Sequence, residues 1–190
     1  MVHTQEKVTS PAAYLQAERG RAEKHEYLNG QIIPMGGAST NHNQITGNLY
    51  FLFRMLLDEQ LYNIYTIDHR VHNPITQSYT YPDVVVVKGD IEYLDDAFDT
   101  LLNPLLIVEV SSNSTFERDL HEKFVAYRKF SGFQEYLLIA QDQVLIQKFY
   151  RIEGDHWEIE DFNDPAQTIN CKSVQATLKV ADVYKKVKLA

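Results

Sequence analysis

The chain has 190 residues, 44% of them hydrophobic and 12% aromatic, and its 26 Asp and Glu outnumber 18 Lys and Arg for a net charge of −8. This content can bury one sizeable core, so residues 1–190 are expected to form a single domain. The acidic balance argues against tight non-specific nucleic-acid binding through a broadly basic surface, but not against a nuclease, because acids gathered around a metal site add to the negative sum. A lone cysteine, Cys171, excludes an internal disulfide and every multi-cysteine zinc arrangement, and it fits a reducing compartment. The opening MVHTQEKVTSPAAY lacks an apolar core of signal-peptide length, and no stretch approaches about 18 consecutive apolar residues. A cytoplasmic location without a membrane partner is expected.

In chain order, Ser10 and Pro11 suit the cap and first position of a helix running through AAYLQAER. HEYLNGQIIPM reads as a hairpin turning at Asn29-Gly30. NHNQITGNLYFLFRMLLDEQL places Ile45, Leu49, Leu52 and Leu56 at helical spacing, which predicts a second helix. YNIYTIDHRVHN and YPDVVVVKGD read as successive strands, and LLIVEV follows as another. Residues 116–130 read as a helix, then EYLLIA, QVLIQKFYRIEG and DHWEIEDF as strands, with a short closing helix in ADVYKKV. The expected class is mixed α/β.

Asp83 opens PDVVVV and Glu109 lies near the end of LLIVEV. Antiparallel pairing of these strands would bring both carboxylates to one end of the sheet. An ionised carboxylate left alone in such apolar surroundings costs several kcal/mol, so a compensating group is required. At about 100° per residue, Phe116, Leu120, Phe124, Tyr127 and Phe130 form an apolar helical stripe with Lys123 inside it. Arg118, Glu122, Val125 and Lys129 fall on the other side, and Asp119 lies at the stripe's edge, one turn before Lys123. The trio Asp83, Glu109 and Lys123 suits a structural ion pair. It also suits phosphodiester hydrolysis, because two carboxylates keep a net negative charge beside one lysine and invite a hard divalent cation.

The ordered elements HEYLNGQIIPM, YPDVVVV, LLIVEVSSNST, the D-x-x-x-K-x-x-x-Y helix at Asp119, Lys123 and Tyr127, and GFQEYLLI resemble a restriction-endonuclease-like domain family of the PD-(D/E)XK nuclease superfamily. Pro82-Asp83 resembles the PD element, and Glu109-Val110-Ser111 occupies the (D/E)XK element. Ser111 stands where the pattern expects lysine, and Lys123 resembles a lysine moved to the following helix. The resemblance implies a restriction-endonuclease-like mixed sheet core flanked by helices, and a Mg²⁺ site, also open to Mn²⁺, on Asp83, Glu109 and the backbone carbonyl of Val110. It further implies catalytic roles for Asp83, Glu109, Lys123 and Glu26, with Tyr127, Asp119 and Ser111 in support. Glu26 reads equally well as an ordinary strand acid. Tyr127 reads as a core aromatic with its hydroxyl toward the site.

Other residues carry less. His69-x-x-His72 lacks helical i, i+4 spacing and a third partner, so both read as strand or surface histidines. His42 suits a phosphate contact at a helix N-terminus, or a capping or solvent-facing role. Lys185, Lys186 and Lys188 read as a solvated helix face. The expected activity is Mg²⁺-dependent endonucleolytic cleavage of DNA, in a chain that could form a homodimer. The alternative is a non-catalytic nucleic-acid or protein-interaction module on the same fold.

Overall fold

The computed structural model describes residues 10–189. The first elements are α1 (Pro11–Glu18), β1 (His25–Leu28), β2 (Gln31–Pro34) and α2 (Thr40–Leu56). Strands β3 (Tyr62–Thr66), β4 (Arg70–Asn73), β5 (Ser78–Thr80), β6 (Val84–Lys88), β7 (Thr100–Leu101) and β8 (Leu106–Ser111) follow. A helical segment then runs through α3 (Phe116–Arg118), a π-helical turn (Asp119–Lys123) and α4 (Phe124–Tyr127). The chain closes with β9 (Glu135–Ala140), β10 (Ile146–Glu153), β11 (His156–Phe162), β12 (Thr168–Cys171), β13 (Ala176–Lys179) and α5 (Val180–Val183). No helix among the described residues is long and apolar enough to cross a membrane.

A mixed six-stranded sheet, ordered β11-β10-β9-β8-β6-β3, forms the centre. Its two faces explain the apolar runs. On β6, Val84 and Val86 join a core cluster with Ile45, Leu49 and Phe53 of α2, while Val85 and Val87 join the opposite cluster with Phe124 and Tyr127 of α4. On β8, Leu106, Val108 and Val110 pack on the α2 side and Ile107 on the α4 side. A sheet covered on both faces needs apolar residues at every position rather than at alternate ones. Glu109 shares the parity of Ile107, so it points toward the α3–α4 segment.

A second sheet, ordered β2-β1-β5-β4-β7, brings the opening hairpin over the site. Asn29 and Gly30 turn that hairpin with φ values of 52° and 78°, as a two-residue connection requires. The Ser10 hydroxyl caps α1 by accepting from the Ala13 N–H at 3.2 Å, as expected.

Several boundaries differ from expectation. YNIYTIDHRVHN divides into β3 and β4, which belong to different sheets, and a turn closed by His69 N–H to the Thr66 carbonyl (3.0 Å) carries the chain between them. Helix α2 stops at Leu56, and its buried stripe is Ile45, Leu49 and Phe53; Leu56 is 50% exposed, and its neighbour Leu57, at the helix end, takes the next place in that core cluster. The helix expected over 116–130 ends at Tyr127, and the closing helix is confined to Val180–Val183. The short strands β5 and β7 have no strong periodicity to reveal them, whereas β12 and β13 alternate polar and apolar residues, a strand pattern whose buried side chains are Ile169, Cys171, Ala176 and Leu178.

Glu135, a second strand acid, is fully buried at the start of β9. It accepts from the Ser173 N–H (3.0 Å), the Ser173 hydroxyl (2.6 Å) and the Lys172 N–H (3.2 Å), which ties the β12–β13 hairpin to the sheet. The same hairpin buries Cys171 completely, and burial pushes its thiol well above the usual range. Ellman's reagent is therefore expected to titrate no thiol in the native protein and one in denaturant. Rapid labelling of the folded protein would contradict this packing.

Candidate active site

β6 and β8 pair antiparallel with Val84 opposite Val108, which sets Asp83 beside Glu109 at one end of the sheet. Asp83 Oδ2 accepts the Val110 N–H at 2.7 Å, and Asp83 Oδ1 lies 3.0 Å from His42 Nε2. Glu109 Oε1 accepts from the Tyr127 hydroxyl at 2.7 Å and from Lys123 Nζ at 3.1 Å. The expected convergence at the sheet end is present.

Lys123 is 4% exposed, and its ammonium binds three carboxylates: Glu26 at 2.8 Å, Glu109 at 3.1 Å and Asp119 at 3.4 Å. Burial alone would lower its pKa, but Glu109, Glu26 and Asp119 overcome that and hold it well above the usual lysine value. Glu26 is 1% exposed on β1 and also accepts the Tyr81 N–H at 3.1 Å, so the opening hairpin delivers it to the lysine. The structure thus places Glu26 against Lys123 rather than in solvent. Asp119 is fixed by the Ser111 hydroxyl, which donates to Oδ2 at 2.6 Å. Tyr136 donates to the Asp119 carbonyl at 3.0 Å.

The charges are unbalanced. Burial lifts the Glu109 carboxyl well above the usual range; Lys123 opposes this, while Asp119, Asp83 and Glu26 raise it further. Tyr127 is likewise held as a neutral phenol, first by burial and then by Glu109 and Glu26. Glu26, Asp83, Glu109, Asp119 and Lys123 border a cleft of about 290 Å³ that Pro34, Gly36, Gly37, Ser39 and His42 also line.

A family model, Uma2, described as "Putative restriction endonuclease", matches residues 11–181. The chain belongs to that family. Two relatives from Synechocystis sp. are each called "Uncharacterized protein". The first, sll1609, is 37% identical over 157 residues, covering 83% of this chain and 89% of its own length. The second, slr1290, is 35% identical over 176 residues, covering 93% and 91% respectively. The fold matches a crystal structure of "a putative nuclease belonging to DUF820" from Anabaena variabilis, with a TM-score of 0.76 over 95% of this chain and all of that one, at 15% identity. The Uma2 membership and this restriction-endonuclease-like fold agree with the resemblance read from the motifs.

In this Uma2 chain, no three His, Cys, Asp or Glu side chains among the described residues form a ready metal cage. Mg²⁺ does not need one, because it keeps several waters and takes one or two carboxylates. Asp83, Glu109 and the nearby Val110 suit that sparse oxygen set, and the surplus of carboxylates over cations suits a hard divalent ion. Asp83 and Glu109 would have to yield some of their present hydrogen bonds to it.

Two further cleft residues have settings that the sequence pattern does not specify. His42 neither caps α2 nor faces solvent: Ser39 is the cap, accepting the His42 N–H at 3.1 Å, and the imidazole turns to Asp83. Burial lowers its pKa, but the hydrogen bond and charge of Asp83 outweigh this and leave it raised. Arg118 was assigned to the far side of the helix, yet it borders the cleft. The π-helical turn accounts for the change, since each residue there advances less than in an α-helix and rotates the preceding turn relative to α4. His72 Nδ1 pairs with the Ser78 carbonyl at 3.0 Å and its ring stacks on Tyr79. Lys185, Lys186 and Lys188 are exposed as expected, but they follow α5 instead of forming a helix face, because that helix ends at Val183.

Proposed function

We propose that this chain is a cytoplasmic, divalent-metal-dependent DNA endonuclease of the PD-(D/E)XK type. The supporting observation is Lys123, a buried helical lysine 3.1 Å from the strand acid Glu109, which in turn lies beside Asp83. Asp83, Glu109 and the Val110 carbonyl would hold Mg²⁺ or Mn²⁺. The bound ion would lower the pKa of an attacking water and offset charge on the phosphate. Lys123 orients the nucleophile and stabilises developing negative charge, while Glu26 and Asp119 keep its ammonium fixed. Tyr127 holds the Glu109 carboxylate in place. A homodimer would set two such sites against two strands.

The second reading, a non-catalytic binding module, draws on Asp83, whose two oxygens are engaged by Val110 and His42. Incubation with duplex, branched and single-stranded DNA and with RNA, in Mg²⁺, Mn²⁺ or EDTA, separates the two. Metal-dependent cleavage of DNA is expected. Binding without cleavage under every condition would favour the module.

A further inference from the structure

Four carboxylates, Glu26, Asp83, Glu109 and Asp119, border the cleft into which the polyanionic substrate of the proposed reaction must enter. Among the described residues bordering it, the cations are Lys123, Arg118 and, when protonated, His42. Lys123 is consumed by three carboxylates, and His42 is held by Asp83. Arg118 differs. Its side chain is 30% exposed, its Nε is buried with no hydrogen-bond acceptor, and it lies 3.9 Å from Asp119 Oδ1, beyond hydrogen-bonding distance. Asp119 does not turn to meet it, since its other oxygen takes the Ser111 hydroxyl.

The same cleft is lined by Gly36 and Gly37. A Cβ at Gly36 or Gly37 would meet nothing within 4 Å, so at these two residues the lining is backbone beside open space. Open backbone leaves room in the cleft for a sugar-phosphate strand, and a planar guanidinium matches phosphate oxygens in geometry as well as charge.

We infer that Arg118 is a positioning residue that binds a backbone phosphate of the nucleic acid, next to the one cleaved. The inference rests on the nuclease reading and deepens it: Arg118 offsets the repulsion of the acidic centre and registers the strand over Lys123. A contact of this kind adds its own share to the salt dependence of binding, whereas a purely structural arginine does not.

The test is fluorescence anisotropy with a short labelled DNA duplex, in Ca²⁺ in place of Mg²⁺, over a potassium chloride series. Wild type is compared with Arg118→Met, Arg118→Lys and Lys129→Met. Lys129 serves as a control because it lies near Asp155, at 3.8 Å, and outside the cleft lining. Arg118→Met is expected to make the plot of log affinity against log salt shallower by about one, with weaker binding at low salt. The slopes of Arg118→Lys and Lys129→Met should match wild type. Circular dichroism verifies the fold of each variant, and Arg118→Gln takes the place of Arg118→Met should the latter not fold. An unchanged slope with neutral residue 118 overturns the assignment of Arg118 alone. A wild type that binds no duplex at any salt overturns it together with the nuclease reading.

Discussion

Replacing Lys123 with methionine is expected to lower single-turnover DNA cleavage about 10²-fold or more, the usual consequence of removing a positioned catalytic group. The same change should destabilise the fold by about 3–5 kcal/mol, the typical result of removing one partner from a buried ion pair. Methionine retains the aliphatic stem, so packing is largely preserved and charge is what is lost. The two effects separate by pH. Glu109 is already lifted by burial and by Asp119, Asp83 and Glu26, with Lys123 opposing them. Without Lys123 its folded pKa rises further, so the folded state binds more protons than the unfolded one and stability falls as pH rises above about 4.3. The deficit relative to wild type should therefore be smallest in acid and grow toward neutral pH, where cleavage is measured. Denaturant melts across that range, with cleavage assays of wild type, Lys123→Met and Lys129→Met, decide the matter. A deficit independent of pH would remove the buried-charge account, and equal cleavage in all three proteins would remove the catalytic one.

Asp83→Asn and Glu109→Gln should each weaken Mn²⁺ binding and reduce cleavage by about 10²-fold or more, while the fold survives. The geometry favours such a clean result. An amide oxygen at position 109 can still accept from Tyr127 and Lys123, and one at position 83 can still accept the Val110 N–H, so charge leaves while the hydrogen-bond frame remains. Wild type should gain stability as Mn²⁺ is added, by about 2.7 kcal/mol at a hundredfold excess over its dissociation constant, and both variants should gain less. Calorimetric titration and thermal melts provide the readings. Undiminished Mn²⁺ affinity in both variants would eliminate the assigned site.

Asp83, Glu109 and Lys123 were legible because each breaks a local pattern: an acid after proline at a strand entrance, an acid within an apolar strand, and a lysine within an apolar helical stripe. Glu135 breaks the pattern in the same way, yet it only anchors a hairpin through Ser173 and Lys172. A strand acid thus marks a site only when its compensating partner is known, and for Glu109 that partner was legible in the helix periodicity. Glu26 stayed ambiguous because nothing in KHEYLNG tells which face of the hairpin meets Lys123. The contacts of His42 and Arg118 were not legible, for different reasons. The contact of His42 with Asp83 spans 41 positions of sequence, and Arg118 depends on a π-helical turn that a fixed 100° step does not describe.

By itself the sequence determined the local features: the Ser10 and Asn29-Gly30 signals, the two-faced apolar strands, and the acid and lysine positions that must find one another. These follow from backbone propensity and from the cost of burying apolar or charged groups at known spacing. Tertiary structure alone decided that β3 and β4 part into different sheets, that the opening hairpin closes Glu26 over Lys123, and that Arg118 and Gly36-Gly37 line one cleft. Those outcomes rest on contacts between segments far apart in the chain, whose register is set by the packing of whole sheets and helices.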